Sequence, residues 1–134
     1  MKLIFLDFDG VWIIHKKINP DCAKNLKQLI EENDLHVVIT SNWRMDKDKD
    51  KAKKYVSKYI IEDRVLGSTI ISTSRASEIS LFLKENEVEN YVIVDDHFID
   101  GFETHSVITD PNVGFNRTDY EKACEIIRTV GGEK

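Results

Sequence analysis

Lys2-Leu3-Ile4-Phe5-Leu6-Asp7-Phe8-Asp9-Gly10 decides the reading of this chain. A short run of large apolar residues has the length and composition of a buried strand, and one is expected over Lys2–Phe8. The run ends in two carboxylates two residues apart, and side chains at i and i+2 of a strand point to the same side. Like charges that close repel unless a cation or a proton lies between them. Gly10 then lets the backbone turn sharply and leaves space beside the acids. Acids also end ordinary strands, so the pair gains meaning only from what else the chain brings to it. The same two acids break the apolar run that a signal peptide would need, so the expectation is a strand and a protein that stays in the cytoplasm where it is made.

Outward from this stretch, short apolar runs alternate with amphipathic ones. Pro20–Asn33 is expected to be a helix, capped by Asn19, with Pro20 at its first position and Leu26, Leu29 and Ile30 on one face. Leu35–Thr40 is a second apolar strand. Asp46–Tyr59 is a highly charged helix anchored by Val56, Tyr59 and Ile60. Val65–Ser72 holds a short third strand, and Ser77–Glu87 a helix with Ile79, Phe82 and Leu83 as its stripe. Tyr91–Val94 and Ser106–Thr109 are further strands. Thr118 or Asp119 opens a last helix through Thr129, stopped by Gly131-Gly132. The alternation predicts an α/β fold: a Rossmann-like three-layer sandwich with a central, mainly parallel sheet, in which residues 1–134 form one domain.

Composition narrows the class. The chain has 134 residues, 41% of them hydrophobic and 32% charged, as in an ordinary globular domain. Its net charge of -5 gives no general pull toward nucleic acid or anionic lipid. No apolar run approaches the roughly 20 residues of a membrane span. Cys22 and Cys124 fit no metal spacing and read as reduced thiols.

In parallel sheets ligands bind beyond the carboxyl ends of the strands. Three such ends carry polar groups here. Asp7 and Asp9 follow the first strand. Thr40-Ser41-Asn42 follow Val37-Val38-Ile39 and offer hydroxyls and an amide to a phosphoryl oxygen, although such residues also favour caps and turns. Asp95-Asp96 follow Tyr91-Val92-Ile93-Val94, with Asp100 beyond them. Oxygen ligands of this kind suit Mg²⁺. Arg75, a cation ahead of Ala76-Ser77-Glu78-Ile79, can balance several carboxylates and a phosphate. Together the groups answer the needs of phosphoryl transfer. A carboxylate attacks a phosphate dianion poorly until a metal ion and a cationic side chain remove the repulsion.

With these four motifs in this order, the chain resembles the haloacid dehalogenase (HAD) superfamily, most of whose members are Mg²⁺-dependent phosphatases. The resemblance implies Asp7 as nucleophile and Asp9 as general acid/base, with the Asp9 backbone carbonyl also on the metal. It implies Thr40 as the phosphate-binding hydroxyl, with Ser41 and Asn42 beside it. Arg75 stands where the family usually has Lys, and as a rigid fork it differs from a point-charge ammonium. Asp96 aligns with the metal ligand of the fourth motif, with Asp95 supporting it. The intervals between motifs are too short for a separate cap domain, so the chain resembles the capless subgroup, whose open sites often take macromolecular substrates.

The expected function is hydrolysis of a phosphomonoester through an aspartyl-phosphate on Asp7. The substrate would be a nucleic-acid end or a phosphoprotein; a nucleotide or other small molecule in a site closed by oligomerisation is the alternative, and a non-catalytic Mg²⁺/phosphate-binding module another. Trp12, Trp43 and Arg44 are candidates for the substrate entrance, although Trp12 could equally pack over the sheet end. His15 also follows the nucleophile loop, and His97 sits beside the acids. Lys51, Lys53, Lys54 and Lys58 read as a solvated helix face or as a patch for an anionic polymer.

Overall fold

The computed structural model describes residues 1–41 and 50–129. Asn42, Trp43 and Arg44, the Asp46–Lys49 start of the charged helix and the Gly131-Gly132 stop lie outside the described residues. Among the described residues, seven strands and four α-helices follow in the order β1 (Lys2–Leu6), β2 (Ile13–Ile14), β3 (Lys17–Ile18), α1 (Pro20–Asn33), β4 (Leu35–Ile39), α2 (Asp50–Tyr59), β5 (Val65–Ser68), α3 (Arg75–Glu85), β6 (Asn90–Asp95), β7 (Ser106–Ile108) and α4 (Arg117–Arg128), with a 3-10 turn at Glu103–His105 before β7. Five strands form one parallel sheet in the order β5-β4-β1-β6-β7. The fold is the Rossmann-like α/β sandwich expected.

Alternate residues of β1 face opposite layers, as pleating requires. Ile4 and Leu6, with Val37, Ile39, Val92 and Val94, meet Leu26, Leu29 and Ile30 of α1, Val56 of α2, and Ala123 and Ile127 of α4. Leu3 and Phe5, with Val38 and Ile93, meet Ile79 of α3 and Ile99. Phe5 sits edge-on to Phe82 and Tyr91, with centroids 5.6 and 5.9 Å away, an arrangement aromatic quadrupoles favour.

Helix α1 begins as expected: the Asn19 side chain accepts from the Asp21 and Cys22 amides, and Pro20 occupies the first turn. Several boundaries differ. Strand β1 stops at Leu6 because the Phe8 carbonyl accepts the amides of Val11, Trp12 and Ile13, coiling the chain directly after Asp7. Strand β5 stops at Ser68, and Ile70 and Ile71 beyond it are exposed. Helix α3 starts at Arg75, two residues before the expected Ser77, because Ser74 caps it and Ser77 returns the bond to the Ser74 amide. Helix α4 is capped by Asn116, not by Thr118 or Asp119; Asp119 instead closes the reciprocal bond to the Asn116 amide. Tyr59, expected as an anchor of α2, is exposed, and Ala52 takes that role with Val56.

The β2–β3 hairpin is not signalled by the sequence. His15 and Lys16 at its turn both have left-handed backbones, φ 51° and 67°, as a two-residue turn of this kind demands, yet neither is the glycine or asparagine that usually marks it.

Candidate active site

Parallel register places the site. Leu6 pairs with Ile39 on one side and Val94 on the other, so Asp7, Thr40 and Asp95 are the next residues of three adjacent strands. The Asp7 amide donates to the Val94 carbonyl at 3.1 Å, and the Thr40 amide to the Leu6 carbonyl at 3.0 Å. Neighbouring strands lie about 4.8 Å apart, so these groups share one small volume at the carboxyl edge of the sheet.

Asp7 is buried, and so are Thr40, Ser41 and Asp95. Arg75 reaches over from the first turn of α3. Its Nη1 donates to Asp95 Oδ2 at 2.6 Å and lies 3.7 Å from Asp7 Oδ1. The other oxygen of Asp95 accepts from the His97 amide at 3.0 Å. Both Asp95 oxygens are therefore engaged within the protein. Burial raises the Asp95 carboxyl above its ordinary range, against the pull of Arg75. Asp7 is raised from 3.8 to about 8, first by burial and then by repulsion from Asp95, with Asp96 adding to it; Arg75 and the Phe8 backbone oppose the rise.

Asp96 closes the site from the next residue. The chain at Gly10 has φ +81°, and a Cβ there would fall 2.8 Å from Asp96 Cγ and nearer still to its Oδ2. Only a glycine fits, and Asp96 thus lies against the turn that carries Asp7 and Asp9. Asp9 itself is exposed. His97 Nδ1 pairs with Asp96 Oδ1 at 2.8 Å while the ring stays mostly in solvent.

The structure therefore brings together Asp7, Thr40, Arg75, Asp95 and Asp96, with Ser41 buried directly after Thr40 and Asp9 exposed two residues beyond Asp7. Trp12 is corrected: it is fully buried, edge-on to Phe8 at 4.9 Å and near Tyr55, so it packs over the sheet end and does not line an entrance. Asp100 is exposed on the turn beyond the acids. Asn42, Trp43 and Arg44 fall outside the described residues.

Two contributors escape a reading of the sequence. Thr109 is buried and donates from Oγ1 to the Gly10 carbonyl at 2.7 Å, fixing the turn from the end of β7. Its only signal is its place after a weak strand. Glu78 is a buried acid on the first turn of α3. An acid early in a helix is ordinary, so its type and position alone do not mark it.

The donor set fits Mg²⁺. Asp96 offers hard oxygens against the Gly10 turn, and its charge is felt at the buried Asp7 carboxyl, which begins that turn. Burial and the negative charge of Asp95 and Asp96 together hold Asp7 protonated well above its ordinary range, a charge excess that a divalent cation would relieve. Ligand atoms of Asp95, Asp96 and His97 lie within 4.8 Å of one another. Asp95, held by Arg75 and the His97 amide, has less to offer an ion than Asp96.

A parallel sheet whose central strand ends in a buried acid, flanked by a hydroxyl, a cation and a second acidic pair, is the arrangement expected of a HAD-type domain. The sequence model of the HAD domain in Swiss Army Knife RNA repair proteins matches residues 3–120, and the chain belongs to that family. Searches of curated proteins and of solved structures returned no match. The general chemistry of HAD domains is Mg²⁺-dependent phosphate-ester hydrolysis. Among the described residues, β2, β3 and α1 lie between the first and second motifs, and α2 and β5 between the second and third, with no inserted cap. No helix among the described residues is long and apolar enough to cross a membrane.

Proposed function

We propose that the domain hydrolyses a terminal phosphomonoester of RNA, through an aspartyl-phosphate on Asp7. The observation that carries the chemistry is the convergence of Asp7, Arg75 and Asp95 at one strand edge, with Asp96 against Gly10. The RNA repair named in the family's description supports the substrate class.

In this reading an Asp7 oxygen attacks phosphorus as the bond to the leaving oxygen breaks. Asp9, two residues on and open to solvent, gives that oxygen its proton. Asp9 then takes a proton from water, which attacks the aspartyl-phosphate and releases inorganic phosphate and free Asp7. Arg75 and the Thr40 hydroxyl stabilise the equatorial oxygens, with Ser41 beside them. Asp7, the Asp9 carbonyl and Asp96 would hold Mg²⁺, which supplies charge neutralisation between the nucleophile and the phosphate. Asp95 orients Arg75 and serves the ion only indirectly.

The lysines of α2 support a polymeric substrate. Strands β4 and β5 are parallel, so α2 between them runs back from the catalytic edge. Lys51, Lys53, Lys54 and Lys58 are exposed or nearly so along it, and Lys53, Lys54 and Lys58 line an open cleft of about 530 Å³ with Asp50, Ser57 and Glu62. A strand leaving the site along this face would meet several cations.

The test is turnover of an aryl phosphate and of 3′- and 5′-phosphorylated oligoribonucleotides, with and without Mg²⁺. Mg²⁺-dependent release of phosphate, faster from an RNA end, is the expected result. Binding of phosphate without turnover would leave a recognition module instead. A preference for a phosphopeptide would move the substrate class.

A further inference from the structure

We propose that Glu78 is a positioning residue that holds the Arg75 guanidinium from behind. Its consequence for catalysis rests on the phosphatase reading above; its geometry does not.

Glu78 is only 4% exposed, and a buried carboxylate is stable only with partners. One of its oxygens, Oε2, accepts the Ser72 amide at 3.0 Å. The other, Oε1, accepts from Thr69 Oγ1 at 3.4 Å and faces Arg75 Nε at 3.8 Å. Thr69 is itself tied to the sheet, its amide donating to the Ile39 carbonyl at 3.1 Å. One side chain thus joins the end of the sheet, the loop that follows and the catalytic cation.

Arg75 uses its two ends differently. Its Nε edge faces Glu78, while Nη1 meets Asp95 at 2.6 Å and stands 3.7 Å from Asp7. A planar fork can address carboxylates on two sides; the single centre of a lysine ammonium cannot. The arrangement has a chemical purpose. A guanidinium free to swing would close on Asp7 as a direct ion pair and mask the nucleophile. Held between Glu78 and Asp95, it stays near Asp7 without a direct hydrogen bond to it, available to the incoming phosphate.

The experiment is a double-mutant cycle with a spectroscopic arm. Glu78→Gln keeps an oxygen for the Ser72 amide but removes the charge. Aryl-phosphate hydrolysis with Mg²⁺ is compared for the wild type, Glu78→Gln, Arg75→Lys and the double variant, and the Arg75 Nε–H resonance is followed by NMR without substrate. Glu78→Gln is expected to lower kcat/KM about tenfold in the wild type and less than about twofold in Arg75→Lys, because its effect passes through the guanidinium. It is also expected to move the Nε–H signal and speed its exchange. Equal losses in both backgrounds, or an unmoved signal, overturn the proposal. Should Glu78→Gln not fold, Glu78→Asp replaces it, with a smaller loss that again shrinks in Arg75→Lys. If the wild type does not turn over, the phosphatase reading fails, and the Nε–H signal alone decides the position of Glu78.

Discussion

Asp96 and Gly10 are in direct apposition, so that the acid proposed to hold the metal and the turn after Asp7 occupy space only a glycine can leave free. Gly10→Ala adds a methyl both at a left-handed φ of 81° and against a carboxylate. The strain costs about 1–3 kcal/mol. Displacing Asp96 by about 1 Å would lower turnover by about 100-fold. Thermal unfolding and Mg²⁺ titration of this variant check both effects; unchanged Mg²⁺ affinity would contradict the apposition.

Asp7→Asn removes the proposed nucleophile but also a buried carboxyl whose charged form the fold tolerates poorly. Turnover is expected to fall by about 10³-fold or more. The melting temperature at pH 8, without divalent ions, is expected to hold or rise. A variant with full activity would end the aspartyl-phosphate mechanism.

The raised Asp7 carboxyl has a definite pH signature. The unfolded chain loses this proton near 3.8 and the folded chain near 8, so between those values the folded state holds more protons. Stability from this group is full below 3.8 and declines as pH rises toward 8. A cation that replaces the proton reverses the loss. Melting curves at about pH 5 and about pH 8 should show a larger gain from Mg²⁺ at the higher pH. An equal gain at both would place the ion away from Asp7.

The lysines of α2 separate the polymer from the phosphate. Lys53→Glu with Lys54→Glu should leave aryl-phosphate hydrolysis unchanged. On a phosphorylated oligoribonucleotide, KM should rise and its salt dependence should weaken by about one unit of slope for each phosphate no longer neutralised. Parallel decreases on both substrates would show that the helix acts on the site and not on the strand.

The sheet is legible because buried strands are written as continuous apolar runs, and each site acid follows one directly. Asp7, Thr40, Asp95 and Asp96 can be placed on this basis alone, since parallel register carries strand ends to the same edge. Trp12 stays open in the sequence because an aromatic after the nucleophile packs or gapes depending on how the chain coils, and the three amides converging on the Phe8 carbonyl turn it inward. The hairpin at His15 and Lys16 is hidden because the short β2–β3 turn needs left-handed backbones that these residues do not prefer. Glu78 is hidden for a different reason. Its partners, Thr69, Ser72 and Arg75, gather only when the β5–α3 loop folds back over the edge.

Strand β1 lies at the middle of the sheet, hydrogen-bonded along its length to β4 and β6 and covered by helices on both faces. Its amides should be among the last to exchange with deuterium. Asp7, the proposed nucleophile, would thus be mounted at the tip of the slowest-breathing segment of the domain. Heat or denaturant should spare its immediate support until the whole sheet comes apart.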